Sequence, residues 1–319
     1  MTSHQKNRIF SFKHMALAAI ALTLGGCLTT TLPAYRMEVA KRIATPAWMI
    51  KREIPAMPFS VTVFERVYER GGVANIYIEG DGDVWDSPRE WLRNPTPQNP
   101  VGLHLASKDN AKNVIYIAQP CQYSGMLDQD ASCDPAVWKD ARYGRTVVDS
   151  IGKALDELSG RYNFRGFHLI GYSGGAAIAG ILAAERSDIL SLRSVAGVMD
   201  HKAQSLLLDT APLSASLNPV DKAAHLVNIP QYHFIGGQDR YVPPGVLHSY
   251  LQALPPTRCT QYKMIQEAEY DAGWVDKWPE LLKLPVTCHM GMMPKAFTPD
   301  DFLAPAEPHF TVREKPVKP

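Results

Sequence analysis

The stretch Phe167-His168-Leu169-Ile170-Gly171-Tyr172-Ser173-Gly174-Gly175-Ala176-Ala177-Ile178-Ala179-Gly180-Ile181-Leu182-Ala183-Ala184-Glu185-Arg186 carries the reading of the fold. Phe167 to Ile170 is a short apolar run, as expected of a strand buried on both faces. Ala176 to Arg186 is rich in alanine, the strongest helix former. Between them stands a Gly-x-Ser-x-Gly pentapeptide, Gly171 to Gly175. Alone, such a pentapeptide is a weak signal. A buried strand running into it and a small-residue helix leaving it make it a sharp strand-to-helix turn with Ser173 at the apex. The turn strains the backbone at the serine, so the positions two before and two after must lack bulk. Small residues after Ser173 let the helix pack close to the sheet. Its first amides and the positive end of its dipole then point where an oxyanion would form. Ser173 is therefore the candidate nucleophile, and the Gly174 N–H one candidate oxyanion donor.

Outward from this turn, strands and helices alternate. Upstream, Val61 to Tyr68, Ala74 to Glu79 and Asn113 to Ala118 read as strands, the second stopped by Gly80-Asp81-Gly82. Residues 87–101 read as a loop around a short turn at Arg89 to Arg93. Tyr143 to Tyr162 reads as a helix, with Val147, Val148, Ile151, Leu155 and Leu158 on one stripe. Downstream, Leu192 to Val198, Gln231 to Gly236 and Thr260 to Gln266 read as strands, and Pro244 to Leu254 and Gly273 to Leu284 as helices. The alternation predicts an α/β fold: a mostly parallel central sheet with helices on both faces. Residues 202–229 form a small cap-like excursion between two strands.

The strand, serine turn and helix resemble the nucleophile elbow of α/β-hydrolases. The segments 78–85 (IEGDGDVW), 114–123 (VIYIAQPCQY), 171–180 (GYSGGAAIAG), 211–219 (APLSASLNP), 230–239 (PQYHFIGGQD) and 273–282 (GWVDKWPELL) are together similar to a family of bacterial α/β-hydrolases that often carry lipoprotein signals. The resemblance spans residues ~60–288. It implies an α/β-hydrolase fold and a serine nucleophile. Asp239, just beyond a strand and before Val242-Pro243, looks like the acid that orients the base. Asp200, at the end of the preceding strand, competes for that role. Glu79-Gly80-Asp81-Gly82 looks like the oxyanion loop, with Glu79 where related sequences often have His and the second N–H supplied by Asp81 or Gly82. The order Ser–Asp–His places the base after Asp239, where His248, His289 and His309 stand. The resemblance leads one to expect a histidine about three residues before Gly273-Trp274, and Tyr270 occupies that place. His289, beside a Cys259–Cys288 bridge, is the expected substitute; His309 or an incomplete triad are the alternatives.

The first 14 residues carry Lys6, Arg8 and Lys13 and no acid, and Met15 to Leu24 is an apolar run too short to span a bilayer. Leu24-Gly25-Gly26-Cys27 then resembles a bacterial lipobox, which implies cleavage before Cys27 and attachment of acyl chains to it. Leu28 is not the aspartate that retains lipoproteins at the inner membrane, so an outer-membrane anchor facing the periplasm is expected. The organisation read from the sequence is a lipoprotein signal peptide (1–26), a membrane tether (27–58), a hydrolase domain (59–290) and a Pro-rich tail (291–319). Four cysteines remain in an exported chain. They allow three pairings, and short local loops favour Cys121–Cys133 and Cys259–Cys288.

Of the 319 residues, 45% are hydrophobic and 20% charged, with a net charge of +1. That is ordinary globular composition, and nothing in it points to nucleic acid. No CxxC or HxxxH spacing suggests a metal, and no organic cofactor is implied. The expected function is a membrane-anchored serine hydrolase acting on an ester or related acyl bond of a small molecule. The alternative is a catalytically impaired hydrolase-fold lipoprotein with a binding or envelope-structural role.

Overall fold

The structure, a computed structural model, describes residues 33–82, 85–87, 90–91, 94–123 and 133–288. The signal segment, Cys27, His289, His309 and the 291–319 tail lie outside the described residues. The chain enters through helix α1 (Pro33–Ala44) and a 3-10 turn (Thr45–Ala47), then forms strands β1 (Ile50–Ala56), β2 (Phe59–Val67) and β3 (Val73–Ile78). A small hairpin of β4 (Trp85–Ser87) and β5 (Glu90–Trp91) follows, then helix α2 (Val101–Ser107), strand β6 (Asn113–Ile117) and helix α3 (Arg145–Tyr162). Strand β7 (Gly166–Tyr172) leads through Ser173 into helix α4 (Gly174–Glu185), which is followed by β8 (Ile189–Val195) and the short helix α5 (His201–Leu207). Strand β9 (Gln231–Gly236), helix α6 (Pro244–Ala253), strand β10 (Thr260–Ile265) and helix α7 (Trp278–Leu282) complete the described chain.

Eight strands form one sheet in the order β1-β2-β6-β3-β7-β8-β9-β10. The first two pairings are antiparallel; the rest are parallel. Successive side chains of a strand point to opposite faces, and the core splits accordingly. Ile76 and Ile78 pack with α3, α4 and α6 through Val147, Ile151, Leu155, Ile178, Ile181, Val246 and Tyr250. Tyr77, between them, packs on the other face with α1, α2 and α7 through Ala40, Ala44, Leu103, Leu105 and Trp278.

The fold extends upstream of residue 59. The expected tether contains α1 and β1, and β1 pairs along its whole length with β2, Ile50 opposite Glu65 and Ala56 opposite Phe59. Only Ile54 and Ala56 of its seven residues are buried, and Lys51, Arg52, Glu53 and Pro55 give this edge strand the composition of a linker. α2 likewise lies close behind a stretch that reads as loop. The cap-like excursion holds α5 and a 3-10 helix (Pro219–His225). It is tied to the turn before α3: Leu217 N–H donates to the Tyr143 carbonyl at 3.0 Å, and Tyr143 N–H donates to Ser216 Oγ at 3.1 Å. Both expected disulfides, Cys121–Cys133 and Cys259–Cys288, are formed.

Candidate active site

β7 delivers Ser173 to the carboxyl edge of the parallel strands. Its backbone is held at φ 50° and ψ −121°, a conformation that an L-residue adopts only when its surroundings enforce it. The glycines explain how. A Cβ on Gly171 would lie 2.3 Å from Ala176 Cα, and one on Gly175 would lie 2.2 Å from the Ile78 carbonyl. Both contacts are with backbone, which cannot yield, so the elbow admits only glycine there. The Ser173 N–H donates to Val195 O, and its carbonyl accepts from Ala176 and Val198 N–H, all at 3.0 Å. Gly174 opens α4, where backbone N–H groups have no partner within the helix.

The loop after β3 is stapled in place. Glu79, buried, accepts through Oε1 from the Gly80 N–H at 2.9 Å and the Gly102 N–H at 3.1 Å. Burial pushes its carboxyl up to about 7. It thus binds the start of α2 to the candidate oxyanion loop. The Asp81 carboxylate accepts from Arg142 Nη1 at 3.0 Å, Tyr143 Oη at 2.8 Å and Gln119 Nε2 at 3.3 Å. It sits directly over Gly174, where a Cβ would be 1.9 Å from Asp81 Oδ1. The Arg142 guanidinium therefore offsets the carboxylate that lies beside the expected oxyanion site.

Asp239 follows β9 and is 5% exposed. Its Oδ1 accepts from the Tyr241 and Val242 N–H groups, both at 2.8 Å. Its Oδ2 is buried with no hydrogen-bond partner, and burial pushes the carboxyl up to about 6. Asp200 is fully engaged elsewhere: it caps α5 through Lys202 and Ala203 N–H and accepts from Asn218 Nδ2 and Ser249 Oγ.

The side chain that meets Ser173 is Tyr270. Its hydroxyl lies 2.8 Å from Ser173 Oγ, and its ring is tilted against those of Tyr172 and Tyr241, with centroids at 5.5 and 5.0 Å. Its carbonyl is clamped by Tyr172 Oη at 3.1 Å and Trp274 Nε1 at 3.0 Å. Burial, reinforced by the Asp81 charge, holds the Tyr270 phenol well above its ordinary range. It is neutral near pH 7 and can hold the serine hydroxyl without taking its proton. No described histidine is hydrogen-bonded to Ser173. One Ser–His pair, Ser194 Oγ to His233 Nδ1 at 2.8 Å, lies wholly inside the molecule, and burial drops that imidazole to about 3. His248 lies within α6. His289 falls outside the described residues, but its neighbour Cys288 is bonded to Cys259 at the amino end of β10, the opposite edge of the sheet from Ser173.

No protein-family model matches the sequence, and no curated protein is significantly similar to it. Solved structures do match in shape. An alpha-beta serine hydrolase homologue from Coxiella burnetii superposes with a TM-score of 0.52 at 16% identity, covering 73% of this chain and 95% of that one. The 2,6-dihydroxy-pseudo-oxynicotine hydrolase gives 0.53 at 15% identity, covering 78% and 71%. An esterase of Pyrococcus furiosus gives 0.50 at 13%, covering 74% and 91%. The chain has the α/β-hydrolase fold. Within that fold, Ser173 occupies the turn between a central strand and the helix after it, and Asp239 follows a later strand on the same edge. The contacts of Arg142, Tyr143 and Gln119 to Asp81 have no signature in the sequence. They join positions 61, 62 and 38 residues apart, and no local pattern signals such a meeting. Among the described residues no three His, Cys, Asp or Glu side chains gather as a metal site.

Proposed function

We propose that this chain is a membrane-anchored serine hydrolase that cleaves an ester or related acyl bond of a small molecule. The observation that supports this most is the backbone of Ser173, held at φ 50° and ψ −121° at the start of a helix. Such strain persists only where the surrounding structure over-determines it, and it clusters at functional sites. Ser173 Oγ attacks the acyl carbon, and the backbone N–H groups of Gly174 and Asp81 receive the developing oxyanion; its collapse breaks the ester C–O bond and expels the alcohol, which takes a proton from water, and a second water then hydrolyses the acyl-serine to free acid and Ser173. Tyr270 fixes the serine hydroxyl at 2.8 Å but leaves its proton to solvent base, so turnover is slow and rises with hydroxide concentration. Acyl chains on Cys27 would tether the enzyme to the outer membrane, as the Leu24 to Cys27 motif suggests.

The Tyr270 contact also favours a second reading, a hydrolase-fold lipoprotein that binds its ligand without turning it over. Fluorophosphonate labelling separates the two. A hydrolase labels at Ser173 and loses the label in Ser173→Ala, together with p-nitrophenyl ester hydrolysis. A folded wild-type protein that neither labels nor hydrolyses the ester at any pH up to 9 is the binder.

A further inference from the structure

We propose that the outward face of α1 and the corner that follows it dock on the headgroup layer of an anionic phospholipid bilayer. This rests on the reading of Cys27 as an acylated anchor, and goes beyond it by naming the face that meets the membrane.

Trp48 is the first observation. It is 77% exposed and caps the 3-10 turn in the left-handed conformation, φ 57° and ψ 27°. A bulky side chain there costs backbone energy, yet Trp48 is left largely outside the packed interior. Ile50 and Tyr68, each 68% exposed, lie at the same corner. Arg66 ties the corner together: its Nη1 donates to the Ala47 carbonyl at 2.9 Å, its Nη2 donates to the Asp109 carbonyl, and its guanidinium lies 5.9 Å from the Tyr68 ring centre. Tryptophan and tyrosine are the side chains that favour the membrane–water boundary, where one end is apolar and the other wet.

Charge is the second observation. An open groove of about 410 Å³ runs between α1 and α2, lined by Arg42, Ile43, Pro46, Ala47, His104, Ser107 and Lys108. Lys41 and Lys108 have no ion-pair partner among the described residues. Arg42 and Lys112 are each shared with one carboxylate, Glu38 and Glu69. The cations outnumber the acids on this face, which suits phosphate headgroups.

Position is the third. α1 begins at Pro33, six residues after Cys27, and six extended residues span at most ~20 Å. Its exposed positions, Tyr35, Glu38, Lys41 and Arg42, recur at helical spacing, while Ala40 and Ala44 are buried against the domain. An anchor at Cys27 therefore holds this face within reach of the bilayer. The corner lies where β2 ends and β6 begins, at the amino edge of the parallel strands. Ser173 lies at the carboxyl edge, so a docked molecule opens its site toward the aqueous phase and takes a water-soluble acyl substrate.

Full-length protein reconstituted in phosphatidylethanolamine–phosphatidylglycerol vesicles with brominated acyl chains tests this. The emission of Trp48, taken as wild type minus Trp48→Phe, is expected to be quenched at least ~2-fold. The unacylated Cys27→Ser chain is expected to bind the same vesicles at least ~10-fold more tightly than Cys27→Ser carrying Lys41→Glu and Lys108→Glu. Mass spectrometry of the Cys27 peptide reads acylation separately. Acylated protein whose Trp48 emission stays unquenched overturns the docking face and leaves the anchor standing. Quenching without acylation supports the face and removes the anchor. Charge reversal without effect on binding also overturns the proposal.

Discussion

Tyr270 Oη keeps the 2.8 Å from Ser173 Oγ that an imidazole nitrogen would keep, and Asp239 Oδ2 stands buried and unpaired. The two facts belong together if Asp239 is the acid of the proposed hydrolase: a carboxylate oxygen that would accept an imidazole N–H meets none. A general base contributes ~10²–10⁴-fold to such reactions. Tyr270→His is therefore expected to raise ester hydrolysis ~100-fold or more; an unchanged rate in a folded variant would count against the assignment of Asp239. The acid itself gives a stability test. Its pKa is raised in the folded state from 3.8 to about 6, so this group's own contribution to stability, full below about pH 4, is lost as pH rises to 6 and does not return above. Asp239→Asn lacks that loss. Urea unfolding is expected to find the variant ~2 kcal/mol more stable than wild type at pH 7.5, with the two converging at pH 4.

The strand–turn–helix element succeeds because its glycines meet backbone. A methyl on Gly175 would strike the Ile78 carbonyl at 2.2 Å, whereas one on Gly160 in α3 would meet nothing within 4 Å. Gly175→Ala is expected to cost ~3 kcal/mol or more. Gly160→Ala is expected to add ~0.5–1 kcal/mol through helix propensity and a less flexible unfolded chain. Equal effects of the two in denaturant titration would contradict the close approach of α4 to β3. Elements with a strong period were legible: the stripe of α3 and the continuous apolar run of β6 both form where their residues call for them. β1 was not legible, because an edge strand half in water mixes charged and apolar residues as a linker does. α2 was hidden too, since seven residues give too few turns for a clear period.

Across the whole molecule, the Cys259–Cys288 bridge closes a separation of 29 residues at the amino edge of the sheet, while Ser173 lies at the carboxyl edge. Strands of six residues put roughly 20 Å between those edges. Replacing both cysteines with serine is expected to lower stability by ~3 kcal/mol yet leave labelling of Ser173 unchanged. His289→Ala is expected to keep the wild-type hydrolysis rate, because Cys288 is fixed at the edge of the sheet away from Ser173; a loss of 10-fold or more would make His289 the base.

The sequence by itself determined what is local: a buried strand, glycines spaced around Ser173 and a small-residue helix leave one sharp turn as the solution. It also marked Asp239 and the odd tyrosine at 270. Only the tertiary structure decided that Tyr270 meets Ser173 across 97 positions, that Arg142 and Tyr143 hold Asp81 over Gly174, and that Glu79 serves the start of α2. The reason is physical. Backbone strain and helix packing are set by neighbours in the chain, but the charge and hydrogen-bonding state of a side chain is set by groups brought to it through folding.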